Sequence, residues 1–308
     1  MNGAVPLSTI AEIMADEATS FPAGVDFERD MTRLAPCKSL AEYLTPWQVL
    51  RLFPKKRANL DRLAHAVLAS LAENAVRFVD LRSSVLYLTG LQSCTPAQAL
   101  EPLIESTGSA AQQYGIRRGL ILAVTRGDYS ASNLATLLQA YENIGRQKDV
   151  VGLDLAGDEE TPYSAELPAM IREAKDRYGF GITIHAGETG RVADVRAAVE
   201  LLHADRIGHG TAAGKDPYLM DLLAAEGVCV EVCPISNRLT GAVPRDEARP
   251  LQEFQRRGVP FEIFSDNPAI HQRGLADDQA AAMAEGLSIC DMQQQYKAKR
   301  FSFIEDLK

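Results

Sequence analysis

The sequence is poor in residues that announce a metal cage or a disulfide scaffold: its 308 residues include five histidines, five cysteines and one tryptophan. Cys37, Cys94, Cys229, Cys233 and Cys290 are odd in number and irregularly spaced, which excludes a disulfide framework and suits reduced thiols in a cytoplasm. Long apolar runs are also missing. The longest, such as 120–124, are strand-sized and far short of the roughly 18 residues of a membrane span. The opening MNGAVPLSTIAEIMADEA has no basic n-region and no apolar h-region, so no secretory signal is expected there. Positive charge is in deficit, with 32 Lys and Arg against 41 Asp and Glu, a formal charge of −9. Such a chain repels phosphate backbones and anionic membranes. The one basic cluster, Lys55, Lys56 and Arg57, reads as a solvated turn, and neither a nucleic acid nor a membrane is expected as a partner.

What is present is a near-average globular composition, 46% hydrophobic and 24% charged, which excludes disorder. No linker, repeat or low-complexity tract divides the chain, so a single domain over 1–308 is expected, with a helical lid or insertion over 5–60. Short Val- and Ile-rich runs alternate with amphipathic stretches. The runs lie at 76–82, 120–126, 150–157, 181–187, 206–210, 228–234 and 260–266, and read as strands buried on both faces. Helical patterns occupy 60–73, 96–114, 130–144, 165–178, 192–203, 217–226 and 250–257. Alternation of this kind builds a doubly wound sheet or a (β/α)8 barrel. His185, His209 and Asp266 each fall at or just after a strand's C-terminal end. A barrel brings such ends to one rim, and the α/β class predicted is therefore a (β/α)8 TIM barrel.

Five strand ends carry polar motifs. HAGE at 185–188 places an imidazole at a strand end and a carboxyl three residues on, which alone reads as a hydrogen-bonded structural pair. In RIGHG at 206–210, glycines flank His209 and leave its ring open to a ligand, or simply form a loop. In SDNP at 265–268, Asp266 can bind a metal, orient a water or cap the following helix. LAGDE at 155–159 offers the bare backbone of Gly157, or reads as a tight turn with two solvated acids. EVCPISN at 231–237 reads as a strand running out into a polar loop.

Together DLAGDE, IHAGE, RIGHG, EVCPISNRLTG and SDNP, with VRFVDLRSS at 76–84, resemble the adenosine and AMP deaminase family of metal-dependent amidohydrolases. The resemblance implies hydrolytic deamination of a 6-aminopurine at a single zinc. It implies that His185 and Asp266 ligate the metal, that Glu188 donates a proton to purine N1, and that His209 acts as base or electrostatic partner beside the zinc-bound water. Asp266 would also hold that water, and Gly157 would bind purine N3 through its backbone N–H. Zinc would bring the pKa of its water toward about 7. Glu188 would need a raised pKa to serve as an acid.

The sequence departs from the family pattern twice. Asn267 stands where the family has a second Asp facing purine N7, and an amide donates to N7 at any pH. The family's first strand, ending His-x-His-Leu-(Asp or Asn)-Gly, is represented only by its tail, Met1-Asn2-Gly3-Ala4. Seven strands are therefore expected, with the first of the barrel missing or truncated and two metal ligands absent. Two explanations are open: a start placed too late, or a silent, metal-free purine-binding relative. The intact Glu188, His209 and Asp266 favour the first. His65, His203 and His271 fall in or beside helical patterns and are expected to be surface or packing residues. Trp47, Phe53, Arg82 and Arg126 are candidates for sugar or phosphate contacts. The first two read better as core or lid packing, and the arginines equally as solvated charges.

Overall fold

The structure, a computed structural model, describes residues 1–244 and 246–295. Seven parallel strands form one sheet in the order of the chain: β1 (Phe78–Ser83), β2 (Arg117–Thr125), β3 (Val150–Ala156), β4 (Gly181–Ala186), β5 (Arg206–His209), β6 (Cys229–Val232) and β7 (Phe261–Ile263). Sequential order with every pair parallel is the winding of a (β/α)8 barrel, here with seven strands. Among the described residues no eighth strand joins β7 to β1. The short turn Asn2–Ala4 packs instead against the helix Pro268–His271 beyond β7.

Strand interiors such as Leu120, Ile121, Leu122, Ile182, Ile184 and Ile207 are buried, because helices cover the outer face and side chains fill the inner one. The crossover helices begin and end on sequence signals. Pro96–Tyr114 opens with a capping box between Thr95 and Gln98 and closes on Gly115, while Pro217–Glu226 is capped by Asp216 and closes on Gly227. Residues 5–60 contain the helices Leu7–Asp16, Phe27–Asp30, Leu40–Tyr43 and Trp47–Leu50. Ile10, Ile13, Tyr43, Leu50 and Phe53 join their inner faces to the common core. No helix of the described residues is long and apolar enough to cross a membrane.

Three expectations need correction. The last strand stops at Ile263, so Asp266 lies in the bend beyond it. The stretch after β6 is a helix, Pro234–Leu239, because Pro234 occupies its first turn, where no N–H is missed. The two arginines are not solvated: Arg126 is buried and donates to the His185 carbonyl at 2.8 Å, and Arg82 is drawn into the ion pairs described below.

Candidate active site

Strand register sets the first contacts. His185 on β4 pairs with Gly208 on β5, and Ala186 pairs with His209. A Cβ on Gly208 would meet the His185 ring at 3.3 Å, so this glycine makes room for the neighbouring imidazole. Gly210 has φ +59°, and a Cβ there would lie 2.5 Å from Val230. The RIGHG glycines thus serve packing, and His209 is buried rather than open to approach.

His185, Glu188, His209 and Asp266 come together at the C-terminal rim. The two imidazole rings lie 5.4 Å apart between centroids, and His209 Nε2 lies 3.5 Å from Glu188 Oε2. Both His209 (φ 65°) and Asp266 (φ 52°) hold left-handed backbone, uncommon for residues other than glycine. Such strain persists only where surrounding contacts over-determine it. Those contacts come from the helix Pro234–Leu239: Asn237 Nδ2 lies 2.9 Å from His209 Nδ1, and Ser236 Oγ donates to Asp266 Oδ2 at 2.7 Å. Asp266 therefore does not cap the following helix, whose N-terminal residue Asn267 makes no capping bond either. Asn267 packs against the first turn, where a Cβ on Gly3 would fall 2.0 Å from its Oδ1. Gly157 lies exposed beyond β3 at φ +104°, a conformation that selects glycine.

LAGDE does not hold two solvated acids. Glu159 is buried, and its carboxylate accepts from the backbone N–H groups of Gly187, Glu188 and Thr189 at 3.0, 3.0 and 3.2 Å and from the Thr189 hydroxyl at 3.1 Å. It fixes the loop that carries Glu188.

Beneath the rim runs a chain of ion pairs. Arg206 bridges Asp80 at 3.0 Å and Glu231 at 2.8 Å; Arg82 bridges Glu231 and, at 3.3 Å, Asp154; Asp154 meets His185 Nδ1 at 2.9 Å. Burial opposes charge on His185, but Asp154 outweighs it and raises the imidazole to about 9. Burial pushes Glu188 up, reinforced by Asp266 and Glu159 against the pull of His209. Burial acts upward on Asp266 too, yet His209 and the Ser236 hydroxyl overcome it and hold the carboxyl below its ordinary value. Two carboxyls at one rim are thus shifted in opposite directions by their surroundings.

Sequence reasoning missed Asp154, Glu159, Ser236, Asn237 and Tyr43. The first four lie within quoted motifs, and Pro234 at the head of a helix was the available signal for Ser236 and Asn237. His271 is buried, with Nε2 2.7 Å from the Ser265 carbonyl, a packing role as expected.

Known proteins align with this chain along its length. The family model described as adenosine deaminase matches residues 1–307. An adenosine deaminase from Clostridium perfringens is 30% identical over 244 residues, which is 79% of this chain and 72% of the relative. One from Clostridium botulinum is 29% identical over 272 residues, 88% of this chain and 81% of the relative. The adenine deaminase of Arthrobacter aurescens superposes with TM-score 0.86 at 21% identity, covering 99% of this chain and 92% of that one. An amidohydrolase from Burkholderia ambifaria, solved with bound Zn, superposes with TM-score 0.83 at 21% identity, covering 96% and 81%.

Proposed function

The chain belongs to the adenosine deaminase family, and from that premise we propose that it is an aminohydrolase of 6-aminopurines, releasing the exocyclic amine of adenosine or a close relative as ammonia. The observation that carries this reading is the convergence of Glu188, His209 and Asp266 at one rim, with His209 Nε2 3.5 Å from Glu188 and one helix holding both His209 and Asp266; the opposed shifts of Glu188, pushed up, and Asp266, held low, support it. Glu188 gives its proton to purine N1, and Asp266 takes one from the water that adds to C6. His209, its ring held by Asn237, steadies the charge that develops at that oxygen. C6 becomes tetrahedral; Asp266 passes its proton to the amine, the new C6 hydroxyl returns one to Glu188, and collapse expels ammonia and leaves the 6-oxo product with N1 protonated. The Gly157 N–H is the donor to purine N3 and the Asn267 amide the donor to N7.

Zinc is harder to accommodate. A catalytic zinc takes three protein ligands and a water. Among the described residues no group of three or more His, Cys, Asp or Glu side chains is arranged to hold a metal. Of the two ligands implied by the family pattern, His185 is held through Nδ1 by Asp154 and has only Nε2 to offer, so with Asp266 it supplies two donors where three are needed. This donor set does not fit a catalytic zinc. It favours, as a second reading, a metal-free purine-binding relative. The five free cysteines support a reducing, cytoplasmic setting.

The test is the purified chain assayed spectrophotometrically with adenosine, deoxyadenosine, adenine and AMP, alongside metal analysis after dialysis. Turnover of any of the four is expected, and turnover of none overturns the aminohydrolase reading. Stoichiometric zinc excludes the metal-free reading.

A further inference from the structure

Tyr43 ends the helix Leu40–Tyr43, far from the strands in sequence, yet it is buried against the rim. Its phenol oxygen lies 3.3 Å from Ser236 Oγ and 3.5 Å from Asp266 Oδ2, and Ser236 Oγ lies 2.7 Å from that same carboxylate oxygen. A serine hydroxyl has one proton to give, and at 2.7 Å it goes to Asp266. The tyrosine hydroxyl then faces Asp266 Oδ2, a long contact at 3.5 Å, with the Asn267 side chain as its other neighbour. Two hydroxyls, one from the segment before β1 and one from the helix after β6, converge on a single oxygen of a residue with left-handed backbone.

We infer that Tyr43 is a positioning residue for Asp266: with Ser236 it occupies Oδ2, so that Oδ1 is the oxygen presented to the water that adds to the purine. The role rests on the aminohydrolase reading. It makes the helix Leu40–Tyr43 part of the site's frame. A carboxylate free to rotate would offer either oxygen, and a proton acceptor displaced by even 1 Å loses much of its rate advantage.

Tyr43→Phe removes the hydroxyl and keeps the ring that fills the core. With adenosine as substrate, kcat is expected to fall roughly tenfold while KM stays within about twofold, because the lost contact acts on the reacting water and not on purine binding. A kcat within about twofold of the unmodified chain, whatever KM does, overturns the inference. If the unmodified chain turns over no 6-aminopurine, the aminohydrolase reading fails on that result alone. Tyr43 is then judged by a double-mutant cycle in equilibrium unfolding between Tyr43→Phe and Asp266→Asn, followed by the emission of Trp47, the single tryptophan. Coupling of about fivefold in the unfolding constant supports the contact, and additive effects overturn it.

Discussion

The carboxylate of Glu159 accepts the backbone N–H of Glu188 at 3.0 Å, so one buried acid holds the loop that carries another. Glu159→Gln puts an amide N–H where donors from Gly187, Glu188 and Thr189 converge. Unpaired buried donors cost about 1–3 kcal/mol. Urea unfolding should show a loss of that order, and kcat/KM for a 6-aminopurine should fall with it.

Glu188→Gln preserves shape but has no acidic proton to give. Turnover should drop by a factor of about 10²–10⁴, the usual weight of a positioned acid, while purine binding measured by calorimetry is retained. Equal loss of binding and turnover would instead make Glu188 a packing residue.

His185 is protonated through neutral pH because Asp154 outweighs burial and raises it to about 9 from an ordinary 6.5. A raised folded value means that this group's stabilisation is complete below the unfolded pKa and lost as pH rises through about 9. Asp154→Asn should lower the imidazole titration seen by NMR and remove that alkaline loss. An unmoved titration would rule out the ion pair as its cause.

Asp278 is buried on the helix Leu275–Ala284, where its carboxylate accepts the Ile235 N–H at 2.8 Å. Burial pushes it up from 3.8 to about 7. The folded state then holds a proton that the unfolded chain releases, so this group's contribution to stability is complete below about 3.8 and is lost as pH rises through about 7. Asp278→Asn keeps the acceptor for Ile235. Its stability relative to the unmodified chain should improve steadily from about pH 4 to pH 8, and a constant difference would contradict the shift.

Much of the frame was legible because apolar runs and their bounding polar residues are local signals. All seven strands stand where alternation placed them, and the helices 96–114 and 217–226 match residue for residue. His185, Glu188, His209 and Asp266 meet at one rim because a parallel barrel brings strand ends together whatever their separation. The residues that hold them were not legible. Glu159 and Arg82 look like solvated charges until distant partners supply their hydrogen bonds. Tyr43 reaches Asp266 across a separation of 223 residues, which no periodicity records. The RIGHG glycines were visible, but their purpose depends on His185 and Val230, contributed by neighbouring strands.

Along the row Asp80, Arg206, Glu231, Arg82, Asp154 and His185, negative and positive groups alternate, and the ledger of charge closes at zero only while His185 carries its proton. Anything that takes the His185 lone pair must first evict that proton and then compensate the stranded negative charge. Its arrival is therefore a proton-release event, visible in weakly buffered solution as acidification in step with occupancy.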